Sequence, residues 1–348
     1  MAGTIVLLAL ATLSALLAPS AHRQEPSSGR SRPTGATGTN AAKGLPQYRL
    51  DAASFFDSFG GEEAWLKAHV ASIKAYAPFG DRYVKYGLPV LSYHDPATEG
   101  FAPLTAASIE RYVRKVKRDA GAGYAGPLVD DANWSVSFRD GTQSRSLEPE
   151  KHELADLIEA LRAAQPGASI EMNSQYRDIW GLMKAHDSDV ERALRSVNVV
   201  TKEFGVGPTA AISTPTEYAE FFNYVDALHA RGVHVNMGTD YHHSEPSEWE
   251  YNLATYFMFN DGHDYFGVTQ TPRNWWPGFS VNLGDATSPR RRSPSGVWTR
   301  SFSSGVVFTV EPGAPTQRIA LPRPMKTVSG DTVSSITVAA SHGAVLHT

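Results

Sequence analysis

The sequence predicts an α/β chain built as a (β/α)8 barrel, followed by a small all-β extension. Three observations carry that expectation. Short apolar runs alternate with amphipathic stretches along most of the chain, as in parallel βαβ units. Polar and acidic residues recur at the C-terminal ends of those runs, which is where a barrel of this kind builds its active site. No glycine-rich phosphate loop follows any run, which disfavours a doubly wound open sheet.

The 348 residues are 41% hydrophobic with a net charge of −4, which suits one large domain plus an appendage and gives no sign of a nucleic-acid surface. Cysteine is absent, so disulfides, thiolate metal sites and thiol nucleophiles are excluded. The densest basic run, Arg290-Arg-Arg292, lies between Pro289 and Pro294 and reads as a solvated loop.

Taken in order, residues 1–21 read as an export signal. The apolar run from Thr4 to Ala18 is too short to span a bilayer, and the small residues Ala18, Ser20 and Ala21 follow it, although no Lys or Arg precedes it. The protein is therefore expected to be secreted or held at the cell surface. Residues 22–44 are rich in Ser, Gly, Thr and Pro and read as a linker. The barrel is expected over 45–277 and the β-rich extension over 278–348.

Within the barrel region, Tyr48-Arg-Leu50 reads as a first short strand, and Glu63 to Ala77 as a helix with Trp65, Leu66, Val70 and Ile73 on one face. Val90-Leu91 is a strand opening into Tyr93, His94 and Asp95, where Pro96 stops it. Thr105 to Ala120 is an amphipathic helix, and Leu128-Val129 is a strand that breaks into Asp130, Asp131, Asn133 and Trp134. Glu148 to Ala164 is helical, and Ala168 to Tyr176 is a strand with Glu171 inside it and Asn173 and Gln175 among the polar groups that end it. The same alternation gives a helix over Asp187 to Ser196 and a strand over Val197 to Gly205, with Glu203 near its end. It continues with a helix over Thr216 to Arg231, a strand from Gly232 to His243 carrying Asp240, a helix over Trp249 to Asn260 and a last strand at Asp264 to Val268. In the extension, Gly296 to Val310 alternates and turns at Ser303-Ser-Gly305, as a hairpin would, and Ser334 to Leu346 adds another alternating run.

A carboxylate pair at the mouth of such a barrel suits glycoside hydrolysis, which needs one protonated acid and one ionised carboxylate flanking the scissile bond. If the last barrel strand is the eighth, Asp131 follows the fourth and Glu203 the sixth, and residues two strands apart can face one another. Asp131 is taken as nucleophile or base and Glu203 as acid. Adjacent residues of a strand point to opposite sides, so one of Asp130 and Asp131 faces the cleft while the other caps or pairs. Tyr93, Asp95, Asp130, Asn133, Trp134, Asn173, Gln175, Asp240 and Tyr241 are the substrate-binding candidates, since amides and phenols suit hydroxyl-rich ligands and indole faces stack on sugar rings. Core packing or turn bonding is the ordinary alternative for each. No cofactor is called for. A metal-dependent hydrolase, with ligands from His242, His243 and Asp240 or from His94 and Asp95, is the lesser reading, since no HExxH motif occurs. A catalytically silent carbohydrate-binding barrel is the other alternative. The expected partner is an oligo- or polysaccharide, with no nucleic acid and no stable membrane insertion after signal cleavage.

Four motifs, Leu88-Pro-Val-Leu-Ser-Tyr-His-Asp-Pro96, Gly126-Pro-Leu-Val-Asp-Asp-Ala-Asn133, Ile170-Glu-Met-Asn-Ser-Gln175 and Val200-Thr-Lys-Glu203, follow one another in an order that resembles the hypothetical glycosyl hydrolase families of TIM barrels, distantly similar to the endo-alpha-1,4-polygalactosaminidase group. Tyr251-Asn-Leu-Ala-Thr-Tyr256 and Val297 to Gly305 fit the same pattern. The resemblance spans Leu45 to the C-terminus. It implies an exported polysaccharide hydrolase with an Asp on the Leu-Val-Asp-Asp strand and a Glu on the later strand as its carboxylates.

Overall fold

A computed structural model describes residues 47–51, 63–77, 79–96, 99–132, 134, 151–207, 212–238, 245–268 and 275–348. The expected signal and linker, 1–44, lie outside the described residues, as do Asn133, Asp240, Tyr241, His242 and His243.

Eight parallel strands close into a barrel in sequence order: β1 (Gln47–Asp51), β2 (Ser72–Ala75), β3 (Val90–His94), β4 (Gly126–Val129), β5 (Glu171–Asn173), β6 (Val199–Lys202), β7 (His234–Gly238) and β8 (Tyr265–Val268). The closure is the pairing of β1 with both β2 and β8. The helices that intervene are α1 (Glu63–His69), α2 (Asp81–Lys85), α3 (Ala106–Gly121), α4 (Lys151–Ala164), α5 (Tyr176–Lys184), α6 (Ser188–Leu194), α7 (Pro215–Ala230) and α8 (Pro246–Phe259). With β8 as the eighth strand, β4 and β6 are the fourth and sixth, as the sequence numbering requires.

Local chemistry explains several boundaries. Thr105 caps α3 by accepting from the Ser108 amide while Ser108 answers the Thr105 amide, and Thr214 and Glu217 do the same for α7, where Pro215 opens the helix. Asp187 caps α6.

The expected helix from Glu63 to Ala77 is corrected. It stops at His69, and Ser72–Ala75 is instead strand β2, seated between β1 and β3. The spacing of Val70, Ile73 and Tyr76 also satisfies a helix, but the barrel needs a strand there and pairing on both sides overrides the local pattern. The expected strand to Tyr176 likewise ends at Asn173, and Tyr176 starts α5.

The C-terminal sheet runs in the order β13-β12-β14-β11-β10-β9, from β9 (Arg291–Arg292), β10 (Val297–Phe302), β11 (Gly305–Val310), β12 (Gln317–Lys326), β13 (Thr332–Val338) and β14 (His342–His347). The β10–β11 hairpin turns at Ser303 and Ser304, as expected. This sheet packs on α7 and α8. Tyr218 of α7 hydrogen-bonds Thr255 of α8 and donates to Thr309 of β11, and Trp298 of β10 lies 4.7 Å from the Phe222 ring. Arg300 donates to the carbonyls of Phe257 and Asn260 at the end of α8. The basic run is not the free loop expected of it. Arg290 pairs with Asp226 and covers the Phe222 ring, and Arg292 is bidentate on buried Glu311.

Gly343 lets β14 lie directly on α8. A Cβ there would sit 2.7 Å from the Ala254 Cβ and 3.1 Å from the Glu250 carbonyl. Gly343→Val is expected to cost about 1–3 kcal/mol through overpacking, read as a lower urea midpoint at unchanged slope.

Candidate active site

At the C-terminal rim, side chains from the two strands flanking β4 converge on Asp130. Tyr93 of β3 donates to Asp130 Oδ2, and Asn173 Nδ2 of β5 donates to Asp130 Oδ1 at 2.5 Å. Both carboxylate oxygens are therefore engaged and the group is held in one orientation. The Tyr76 ring, just past β2, packs 4.3 Å from the Tyr93 ring. Burial raises both phenols above the usual tyrosine range, and the Asp130 charge adds to each shift, so both stay protonated.

Asp131 is placed differently. The Asp130 amide donates to the His94 carbonyl on β3, whereas the Ala132 amide donates to the Asn173 carbonyl on β5. Asp131 lies between these two bonds in the left-handed conformation, at φ 49°, with its side chain exposed. It has the place of a bulge residue, which bends the strand and passes the inward position to its neighbour.

Glu203 directly follows β6 and is half-buried. The chain then turns through two left-handed residues, Phe204 at φ 61° and Gly205 at φ 56°. A bulky side chain in that region is strained, so something must impose it. Asn252 of α8 contributes. Its Oδ1 accepts from the Val206 amide at 2.8 Å, its Nδ2 donates to the Glu248 carbonyl, and its side chain occupies the space where a Gly205 Cβ would fall. On the carbonyl side, Lys202 Nζ donates to the Glu203 oxygen at 2.6 Å, and burial pulls this ammonium down to about 8.

A polar layer fills the barrel interior. Lys74 of β2 meets Glu171 of β5 at 2.9 Å, and the same Glu171 oxygen accepts from Thr201 of β6 and, at 2.8 Å, from Asn236 of β7. All four are buried. A charge pair at this depth is tolerable because hydrogen bonds surround it.

Of the other expected site residues, Asp95 is buried beyond β3 and Gln175 is exposed at the N-terminus of α5. Trp134 is corrected: it is fully buried in the hydrophobic core and offers no face to a sugar. His94 also does not face the rim. It is buried beneath α3, with Ser92, Glu99, Lys115 and Asp119 around its two nitrogens. Tyr76, Lys74, Thr201, Lys202, Asn236 and Asn252 were not anticipated. A lysine inside Ser72-Ile-Lys-Ala was the available signal for the first two, but the helical reading of that stretch hid it.

No protein-family model matches the sequence, and no curated protein matches it. Among solved structures, the chain is similar to the glycoside hydrolase domain of PelA from Pseudomonas aeruginosa, at 15% identity and a TM-score of 0.41, covering 66% of this chain and 95% of that one. It is similar to a family 30 subfamily 8 glycoside hydrolase, a xylanase from Clostridium acetobutylicum, at 11% identity and a TM-score of 0.48, covering 89% and 98%. An alpha-amylase from Geobacillus thermoleovorans gives 8% identity and a TM-score of 0.48, covering 88% and 98%. At these distances no site residue of theirs is carried onto this chain.

The Asn252 clamp has a measurable consequence. Asn252→Ala strands the buried Val206 amide and releases the turn that follows Glu203, with an expected cost of about 1–3 kcal/mol in urea unfolding.

Proposed function

We propose that the protein is a glycoside hydrolase in which Asp130 serves as nucleophile or base and Glu203 as acid. The observation that carries this reading is a repeated geometry: each carboxylate directly follows its strand, β4 or β6, and immediately precedes a left-handed residue. Strained backbone concentrates at functional sites, and here it occurs beside both carboxylates on strands two apart. Neighbouring strands lie about 4.8 Å apart, so side chains reaching inward from β4 and β6 can approach the roughly 5–9 Å that glycosidases use.

The chemistry follows from the surroundings. Asp130, accepting from Tyr93 and Asn173, is fixed either to attack the anomeric carbon or to take a proton from the water that attacks it. Glu203 delivers its proton to the leaving glycosidic oxygen, and the turn locked by Asn252 sets its position. In this reading Tyr76 and Gln175 meet sugar hydroxyls along the same rim, while buried Asp95 does not reach them. Asp130 here stands in place of the expected Asp131, whose side chain is exposed. The reading includes export through residues 1–21. A galactosamine-containing α-1,4-polymer is the first substrate to assay, on the resemblance of the strand motifs.

The test is reducing-sugar release across a polysaccharide panel that includes such a polymer. Asp130→Asn and Glu203→Gln are each expected to lose on the order of 10²–10⁴-fold in kcat/KM, while Asp131→Asn stays near wild type. Loss in Asp131→Asn with retention in Asp130→Asn would return the role to Asp131. A wild type without activity on the whole panel would overturn the enzyme reading.

A further inference from the structure

At the opposite end of the barrel, three histidines and two aspartates gather where the α7–β7 and α8–β8 connections meet. His229 lies in the last turn of α7, His234 opens β7, and Asp261, His263 and Asp264 belong to the loop before β8. His229 Nδ1 is 3.9 Å and His234 Nδ1 is 3.8 Å from the same atom, Asp261 Oδ2. Neither separation is a hydrogen bond, and His234 Nδ1 is buried without a hydrogen-bond partner. The His263 ring centre is 5.1 Å from that of His234.

Asp264 has a different part. It is fully buried. Its Oδ1 accepts from the Val235 amide at 2.7 Å and meets His229 Nε2 at 2.9 Å, while its Oδ2 accepts from the Asp261 amide. That is the arrangement in which a carboxylate holds one imidazole nitrogen so that the other faces a metal. It also fixes the loop that presents Asp261, and the His263 amide bonded to Asp261 Oδ1 leaves Oδ2 turned to the two rings.

We propose that His229 Nδ1, His234 Nδ1 and Asp261 Oδ2 form a site for a divalent transition-metal ion of the zinc type, with Asp264 orienting His229. Metal–nitrogen and metal–oxygen bonds of about 2.0–2.2 Å place tetrahedral neighbours roughly 3.3 Å apart. Each imidazole nitrogen now stands 3.9 or 3.8 Å from Asp261 Oδ2, and the two rings, whose centres are 6.3 Å apart, turn toward one another as the site closes. Two imidazoles and one carboxylate suit Zn²⁺ rather than Ca²⁺ or Mg²⁺, which prefer all-oxygen shells. His263 or water completes the fourth position. Because the cluster lies at the foot of the barrel, away from the Asp130 rim, its role is structural: the ion ties the last two connections together.

The experiment adds Zn²⁺ alone to the chelator-treated full chain and reads binding by calorimetry and unfolding temperature. Co²⁺ is used as a spectroscopic probe through its visible absorption. One equivalent of Zn²⁺ is expected to bind and raise Tm, with the intense absorption of low-coordinate Co²⁺. His234→Gln and Asp261→Asn, both at partly exposed positions, are each expected to weaken Zn²⁺ at least tenfold while keeping the metal-free Tm. Absence of stoichiometric Zn²⁺ binding by wild type would overturn the site. So would unchanged affinity in the double variant, or a Co²⁺ spectrum unaltered by both substitutions.

Discussion

The hydrogen bonds that Asp130 receives from Tyr93 and Asn173 join three consecutive barrel strands at their C-terminal ends. A carboxylate in that position needs donors on both oxygens, because the rim is half-buried and an unpaired charge there is costly. Meeting that need constrains the neighbourhood. Tyr93 must project inward from β3, which leaves His94, one residue on, to face α3. Asn173 must end β5, and the left-handed Asp131 separates the Asp130 bond to β3 from the Ala132 bond to β5.

Beneath the rim, the Lys74–Glu171 pair performs a comparable service for the barrel interior. It joins β2 to β5, and Thr201 and Asn236 bring in β6 and β7. Breaking such a pair from one side would cost several kcal/mol, since the remaining charge would stay buried. Outside the barrel, α7 and α8 bear the C-terminal sheet, while Asn252 of α8 holds the turn after Glu203. One helix therefore supports both the appendage and a candidate catalytic carboxylate.

Much of the architecture was legible in the sequence. The alternation of apolar runs and helical patterns set the barrel, and the count of strands placed the two acidic motifs after the fourth and sixth. β2 was not legible, because four residues at Ser72–Ala75 carry too little pattern to compete with a helical spacing that a barrel overrides. Alternation says only that one of Asp130 and Asp131 should face the cleft. It could not say which, since a bulge depends on the bonding of both neighbouring strands. Trp134 was misread for a related reason: an aromatic beyond a strand end looks the same in sequence whether it lines a cleft or closes the core.

The proposed chemistry requires Asp130 and Glu203 to act as a pair across one glycosidic bond. Azide rescue tests this most directly, because a small anion can occupy the space left when a carboxylate is removed. With an activated substrate of the sugar that wild type cleaves, azide is predicted to restore turnover to Asp130→Ala or Glu203→Ala and to yield a glycosyl azide. Restoration confined to Asp131→Ala, with both other variants inert to azide, would contradict it.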